Sequence, residues 1–180
     1  MNQVVILTIG DELINGRVVD RNSSTLAGRL YQEGIETPLH LTCGDDHEEI
    51  GRCLEVALSK APVVITTGGL GPTTDDLTHE AIARYAGVAL ELDEDELGRI
   101  RQKFASRGLT MPESNVRQAM LPAGARLLPN PTGTAPGSLT QVKGRWILTL
   151  PGIPRELPPM VEETVIPFLR QHFSLKAIVS

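Results

Sequence analysis

Residues 63–76, VVITTGGLGPTTDD, hold both the fold and the site of this chain in one stretch. Val63–Thr67 is a short β-branched run of the kind that forms a buried strand. Gly68, Gly69 and Gly71 follow at once, and then the adjacent carboxylates of Asp75 and Asp76. Glycines let backbone N–H groups come close to a ligand, and loops of this kind often hold phosphates. A phosphate loop normally carries Lys or Arg, and this one has neither. Its spacing is neither G-x-G-x-x-G nor G-x-x-x-x-G-K-[ST]. A divalent metal held by the carboxylates and bridging to phosphate oxygens reconciles the two halves. A strand running through glycines into a helix places the loop at the carboxyl edge of a sheet, where open α/β folds bind ligands. Two readings of Asp76 stand side by side: N-cap of the next helix, or metal ligand together with Asp75.

Strands and helices alternate on both sides of this stretch. Gln3–Ile9 reads as a buried strand ending at Gly10. Asn22–Glu33 reads as a helix stopped by Gly34, with Asn22 or Ser23 as its cap. Thr37–Cys43 suggests a second strand. DDHEEIGRCLEVALSKA suggests a helix with Asp46 and Glu49 at capping-box spacing. Helices are predicted over Leu77–Ala86, closed by Gly87, over Glu94–Arg107, and over Glu113–Met120. Beyond Pro122 come three short strands, ARLL, GSLTQV and RWILTL, with Lys143-Gly144 at a hairpin turn. LPGIPREL is a proline-bracketed loop opening a last helix to about Phe173. The pattern predicts one domain over residues 1–180, a three-layer α/β/α sandwich with a mixed, mostly parallel sheet.

Composition limits the partners. The 180 residues carry a formal net charge of −5 and only 3% aromatic residues. That balance argues against nucleic acid held by bulk attraction or by stacking. No apolar run approaches the roughly 20 residues that cross a bilayer. Two cysteines are too few for a disulfide framework, and a cytoplasmic protein is expected.

Other stretches repeat the theme of the first. TIGDELINGRVVD runs from an apolar strand into Gly10, Asp11 and Glu12, where Asp11 also suits a plain turn. CGDDHEEI sets Asp45 and Asp46 before a helix, and capping explains one of them. If the first and third strands are neighbours, these acids crowd one edge, which is costly unless a cation joins them. NPTGTAPGSL, with Thr132, Gly133, Thr134 and Gly137, reads either as a backbone cradle for an anion or as a series of surface turns. In ESNVRQA, Asn115 and Gln118 are i, i+3 neighbours suited to reading a base or amide, with Arg117 close by; solvent exposure explains all three equally. No Ser-His-Asp or Cys-His constellation is present.

Taken in order, GDELINGRVVDRNSSTLA, GDDHEEI, ITTGGLGPTTDDLTHEA, ESNVRQAMLPAGARLLPNPTGTAPG and LPGIPREL closely resemble the N-terminal domain of the CinA family. That domain belongs to the molybdopterin-binding superfamily with MogA and MoaB. The resemblance covers nearly the whole chain and implies divalent-metal-dependent hydrolysis of a nucleotide pyrophosphate such as ADP-ribose. The metal implied is Mg²⁺, with Mn²⁺ or Co²⁺ as substitutes. Alternatives within the superfamily are pterin adenylylation in molybdenum-cofactor assembly and a catalytically silent nucleotide-binding domain. The essential aspartate of the glycine-loop motif falls on Asp76, and a second best matches Asp45. Asp75 and Glu12 complete the implied metal set. The phosphate cradle maps to Gly68, Gly69 and Gly71, with Gly10 and Thr73 beside them. The two-domain pattern continues into an amidase-type domain that is expected to lie outside this sequence. A homo-oligomer, dimer or trimer, is also implied.

Overall fold

The computed structural model describes residues 2–175. A six-stranded sheet in the order β2-β1-β3-β8-β7-β6 forms its centre. Its strands are β1 (Val4–Ile9), β2 (His40–Cys43), β3 (Val63–Thr67), β6 (Arg126–Leu128), β7 (Gly137–Val142) and β8 (Arg145–Leu150). The pairs β2-β1, β1-β3 and β3-β8 are parallel, while β8-β7 and β7-β6 are antiparallel. The mixed, mostly parallel sheet is therefore as predicted. Lys143 and Gly144 both take positive φ, 50° and 78°, as a two-residue hairpin turn of the favoured twist requires.

Each face of the sheet carries helices. On one side α2 (Asn22–Gln32) packs with α6 (Leu157–Met160) and α7 (Ile166–His172), burying Leu26, Leu30, Leu157, Met160 and Leu169 against Val4, Ile6 and Ile65. A single π-helical turn, Val161–Val165, joins α6 to α7. On the other side α3 (His47–Lys60) and α4 (Thr78–Ala86) bury Ile50, Leu54 and Ile82 against Val5, Leu7 and Val64. Fully burying each such aliphatic side chain stabilises the fold by about 1.5–3 kcal/mol. Strands buried on both faces explain the unbroken apolar runs of β1 and β3.

Several local expectations are corrected. The second strand begins at His40 rather than Thr37. Neither Asn22 nor Ser23 caps α2; the Ser23 amide donates to Asp20 Oδ1 at 3.0 Å, and Asn22 is turned inward. Asp46 does cap α3, accepting from the Glu48 and Glu49 amides. Glu113–Ala119 is a 3₁₀ rather than an α-helix. Two elements were not anticipated, α1 (Asp11–Ile14) and an antiparallel ribbon of β4 (Leu90–Leu92) with β5 (Met120–Pro122). With α5 (Glu94–Ala105) this ribbon forms a flank with its own core of Leu97, Ile100 and Ala119. Cys43 and Cys53 are free thiols. No helix among the described residues is long and apolar enough to cross a membrane.

Candidate functional site

Because β1, β2 and β3 run parallel, their carboxyl ends open on one edge of the sheet. The register pairs Ile9 with Cys43 and Thr8 with Thr67, so the acids that follow each strand are brought together. Asp11 and Asp45 clasp one another: the Asp11 amide donates to Asp45 Oδ2 at 3.0 Å and the Asp45 amide to Asp11 Oδ1 at 3.1 Å. Gly44 permits this approach, since a Cβ there would fall on Asp11 Oδ1. A hollow of about 380 Å³ is lined by Asp11, Glu12, Asp45, Asp75 and Asp76, with Arg17 as its cation. Burial raises the Asp45 carboxyl above the usual carboxylate range, and the charges of Asp11, Glu12 and Asp76 push it the same way against its bond from Asp11. The crowding expected from the sequence is thus real. No three of the described carboxylate, His or Cys side chains converge closely enough to hold an ion by themselves.

Asp76 does not cap α4, contrary to the capping reading. That helix begins at Thr78, and no side chain caps it. Asp76 Oδ2 instead accepts from the Thr73 amide at 2.9 Å and the Thr73 hydroxyl at 2.6 Å, which leaves Oδ1 without a donor among the described residues. Gly71 makes room for this carboxylate, because a Cβ there would collide with it. Thr73 is thereby an anchor for Asp76. Asp75 is exposed, with only a 3.4 Å contact from the Thr74 hydroxyl.

The glycine loop has a polarity of its own. The Gly68 amide still belongs to the sheet, donating to Leu150 O at 3.1 Å, and the Gly10 amide donates to Cys43 O at 3.0 Å. The carbonyls of Gly68 and Gly69 turn back to α4, where they accept from the Thr78 hydroxyl at 2.8 Å and the Thr78 amide at 3.1 Å. Positive φ at Gly68 (109°) and Gly69 (64°) makes this reversal possible. The amides of Gly69, Leu70 and Gly71 consequently donate to no acceptor among the described residues. These three residues line a cavity of about 500 Å³, a size typical of ligand sites. Glu12, Gly69 and Asp76 line both this cavity and the acidic hollow.

The second loop is built the opposite way. The Thr132 and Gly133 amides donate to Asn130 Oδ1 at 3.1 and 2.7 Å. Arg99 and Lys103 of α5 hold the loop from outside through the carbonyls of Asn130, Thr134, Pro131 and Gly133. Thr134 lines the cavity. Gly137 lies in β7, where a Cβ would meet the Thr149 carbonyl, so close packing explains that glycine.

Asn115 and Gln118 are buried rather than solvated, and both line the cavity. Asn115 Nδ2 donates to Gln118 Oε1 at 2.8 Å and Gln118 Nε2 to Leu70 O at 3.3 Å, so they brace the glycine loop. Arg117 is paired with Glu80 at 2.7 Å. Several cavity residues were missed, Asn22 and Glu156 among them. Asn22 passed for a helix cap, yet its Nδ2 donates to Thr67 Oγ1 at 3.0 Å and Gly152 O at 2.9 Å. Glu156, hidden in LPGIPREL, is buried at the cavity wall; an acid between prolines and apolar residues was its only signal.

Comparison with known proteins shows the family and the fold. The family described as "Probable molybdopterin binding domain" matches residues 5–171. A CinA-like protein of Geobacter metallireducens is 47% identical over 167 residues, covering 93% of this chain and 40% of that protein. One from Geobacter sp. strain M21 is 49% identical over 173 residues, covering 95% and 41%. The chain therefore spans about two fifths of the length of these curated relatives. Among solved structures, the protein CinA of Thermoplasma acidophilum, described as of unknown function, superposes with a TM-score of 0.85 at 33% identity, covering 92% of this chain and 97% of that one. The molybdopterin biosynthesis enzyme MoaB of Thermus thermophilus superposes at 0.64 with 19% identity, covering 97% and 95%, a likeness of fold.

Proposed function

Because the chain belongs to the molybdopterin-binding domain family, among its CinA-like members, we propose that it hydrolyses a nucleotide pyrophosphate such as ADP-ribose with the help of a divalent metal. The observation that carries this reading is one juxtaposition. Gly69, Leu70 and Gly71, whose backbone amides have no acceptor among the described residues, line the same cavity as Glu12 and Asp76. Amides of this kind bind phosphate oxygens where charge develops, without reorganising during the reaction.

The acid set suits a hard cation. All its donors are oxygens, and an ion such as Mg²⁺ commonly takes one or two carboxylates, several waters and the substrate's own phosphates. That pattern fits carboxylates which crowd without converging. Asp76 Oδ1 and Asp45 would hold the ion, with Glu12 and Asp75 at the margin. When bound, it would neutralise phosphate charge and make a water more acidic. The chain's own residues supply the rest. Thr73 fixes the Asp76 carboxylate, the Asp11–Asp45 clasp sets the second acid beside Gly69, and Gln118 holds the loop through Leu70. Water adds across the P–O–P bridge to yield AMP and ribose 5-phosphate.

The test is to incubate the protein with ADP-ribose and Mg²⁺, Mn²⁺ or Co²⁺ and follow both products by chromatography. AMP formation that stops on chelation with EDTA is expected. Absence of AMP with every metal would contradict the reading, and undiminished turnover after thorough chelation would remove the metal from it.

A further inference from the structure

Glu156 is a carboxylate for which the proposed hydrolysis has no use. It is 3% exposed, yet it lines the cavity. It forms no ion pair among the described residues, and Lys103 spends its ammonium on the carbonyls of Pro131 and Gly133 instead. Oε2 accepts from Asn130 Nδ2 at 2.8 Å, while Oε1 accepts from no donor among the described residues. The group lies against Gly133, where a Cβ would collide with the carboxylate. Oε1 is not among the fully enclosed polar atoms that lack a partner, so it opens on the cavity as an acceptor available to a ligand.

Two other side chains that line the cavity share this polarity. Gly152 O accepts from Asn22 Nδ2, and Leu70 O accepts from Gln118 Nε2, which in turn fixes Asn115 Nδ2 on Gln118 Oε1. Backbone carbonyls cannot donate, so these bonds settle which amide atom is which. Asn22 Oδ1 and Asn115 Oδ1 are left as acceptors with no donor among the described residues. The wall thus offers oxygens where the glycine loop offers N–H groups. Arg21 is a cation on the same cavity lining, so the selection rests on the three side-chain oxygens themselves: they give a phosphate no donor, whereas a sugar hydroxyl or amino group finds acceptors.

We propose that Glu156, with Asn22 and Asn115 lining the same cavity, accepts hydrogen bonds from the uncharged end of the nucleotide, and is the residue that selects ligands bearing donors at that end. The choice of ADP-ribose as probe rests on the pyrophosphatase reading; the acceptor wall does not. In Glu156→Gln the side-chain oxygen must keep the bond from Asn130, so an NH₂ group takes the place of Oε1 and faces the ligand's donors.

The test is calorimetric binding of the methylene-bridged analogue of ADP-ribose, which cannot be hydrolysed at the bridge. Its 2,3-dideoxyribosyl form and its 6-deamino (unsubstituted purine) form are measured beside it. Glu156→Gln is expected to weaken the full analogue about tenfold to a hundredfold, the range for a hydrogen bond to a charged group. One modified analogue should already bind the parent weakly and bind the variant no worse. If that is the dideoxyribosyl form, a sugar hydroxyl is the donor; if the unsubstituted purine form, the amino group of the base is. Affinities for all three probes equal within twofold in parent and variant, with only Tm altered, would overturn the proposal and leave Glu156 as a strut for residues 130–135. Binding weakened by Glu156→Gln without any AMP from ADP-ribose would sink the pyrophosphatase reading and uphold the acceptor wall. Normal AMP formation with unchanged probe affinity would do the reverse.

Discussion

In the loop after β3 the carbonyls of Gly68 and Gly69 turn back into the fold, onto Thr78, and the next amides are left for a ligand. In the loop before β7 it is the amides of Thr132 and Gly133 that turn back, onto Asn130 Oδ1. Both loops hold glycine, proline and threonine, and the sequence allows an anion cradle in each, with plain surface turns as the other reading of the second. Glycine only permits a close approach; which backbone groups remain free is decided by the side chain that anchors the loop. A hydroxyl and an amide at the start of α4 consume carbonyls. A buried amide oxygen on Asn130 consumes N–H groups.

The largest effect should come from the acid beside the first loop. Asp76→Asn is expected to keep its fold, because Asn Oδ1 can still accept from the Thr73 amide and hydroxyl, while AMP formation drops at least about a hundredfold, as for loss of a charge needed in a transition state. Comparable turnover in parent and variant would return Asp76 to a purely structural role.

The second loop should respond in stability. Asn130→Ala strands the Thr132 and Gly133 amides and removes the donor to Glu156. An unsatisfied buried group costs about 1–3 kcal/mol, and in a chain of this length each kcal/mol lowers Tm by roughly 2–4 °C. Thermal melts should show a drop of that order or more. Affinity for inorganic pyrophosphate with Mg²⁺, a ligand with no donor-bearing end, should change less than about threefold, since the amides it uses lie elsewhere. A loss of pyrophosphate binding as large as that from Asp76→Asn would erase the contrast between the loops.

Gly69→Ala sharpens the contrast from the other side. Its φ of 64° costs a non-glycine residue about 1–2 kcal/mol, and the new methyl would meet Thr78 Oγ1 rather than the ligand. Both stability and pyrophosphate affinity should fall, because shifting Thr78 loosens the bonds that aim the loop. Unchanged affinity in a destabilised variant would mean that the amides of this loop are not the cradle.

The smallest effect is on charge crowding. Asp45 carries a raised carboxyl pKa, so the folded chain holds its proton more tightly than the unfolded chain does. Its ionised form therefore detracts from stability above the raised value, and the penalty disappears as pH falls through it toward the ordinary range. Asp45→Asn should raise Tm slightly at pH 7 in metal-free buffer, with the gain shrinking on acidification. A gain that grows as pH falls would show that the crowding does not act on Asp45.

Much of this molecule is written locally, and the missing parts have a common cause. Val63–Thr67 and Val4–Ile9 announce themselves because a strand buried on both faces must be apolar throughout. Lys143-Gly144 announces itself because a tight hairpin needs positive φ. The ribbon of Leu90–Leu92 with Met120–Pro122 was illegible, since each strand is only three residues long and its partner lies far along the chain. Asp76 has a good capping residue's chemistry, yet Thr73 claims it and the glycine carbonyls hold the helix start. Asn22 sits where a cap belongs, and is drawn inward by Gly152, a partner 130 residues away. The acids at the strand ends were legible as a group because parallel strands must open on one edge. Glu156 was not, because its environment is assembled from Asn130 and Gly133 only in the fold.

The most direct measurement is a ¹H–¹⁵N correlation spectrum of the protein titrated with inorganic pyrophosphate and Mg²⁺. The amide resonances of Gly69, Leu70 and Gly71 are expected to shift strongly and saturably, while those of Thr132 and Gly133 stay in place. Shifts centred on Thr132 and Gly133 with Gly69–Gly71 unmoved would contradict the assignment of the phosphate cradle.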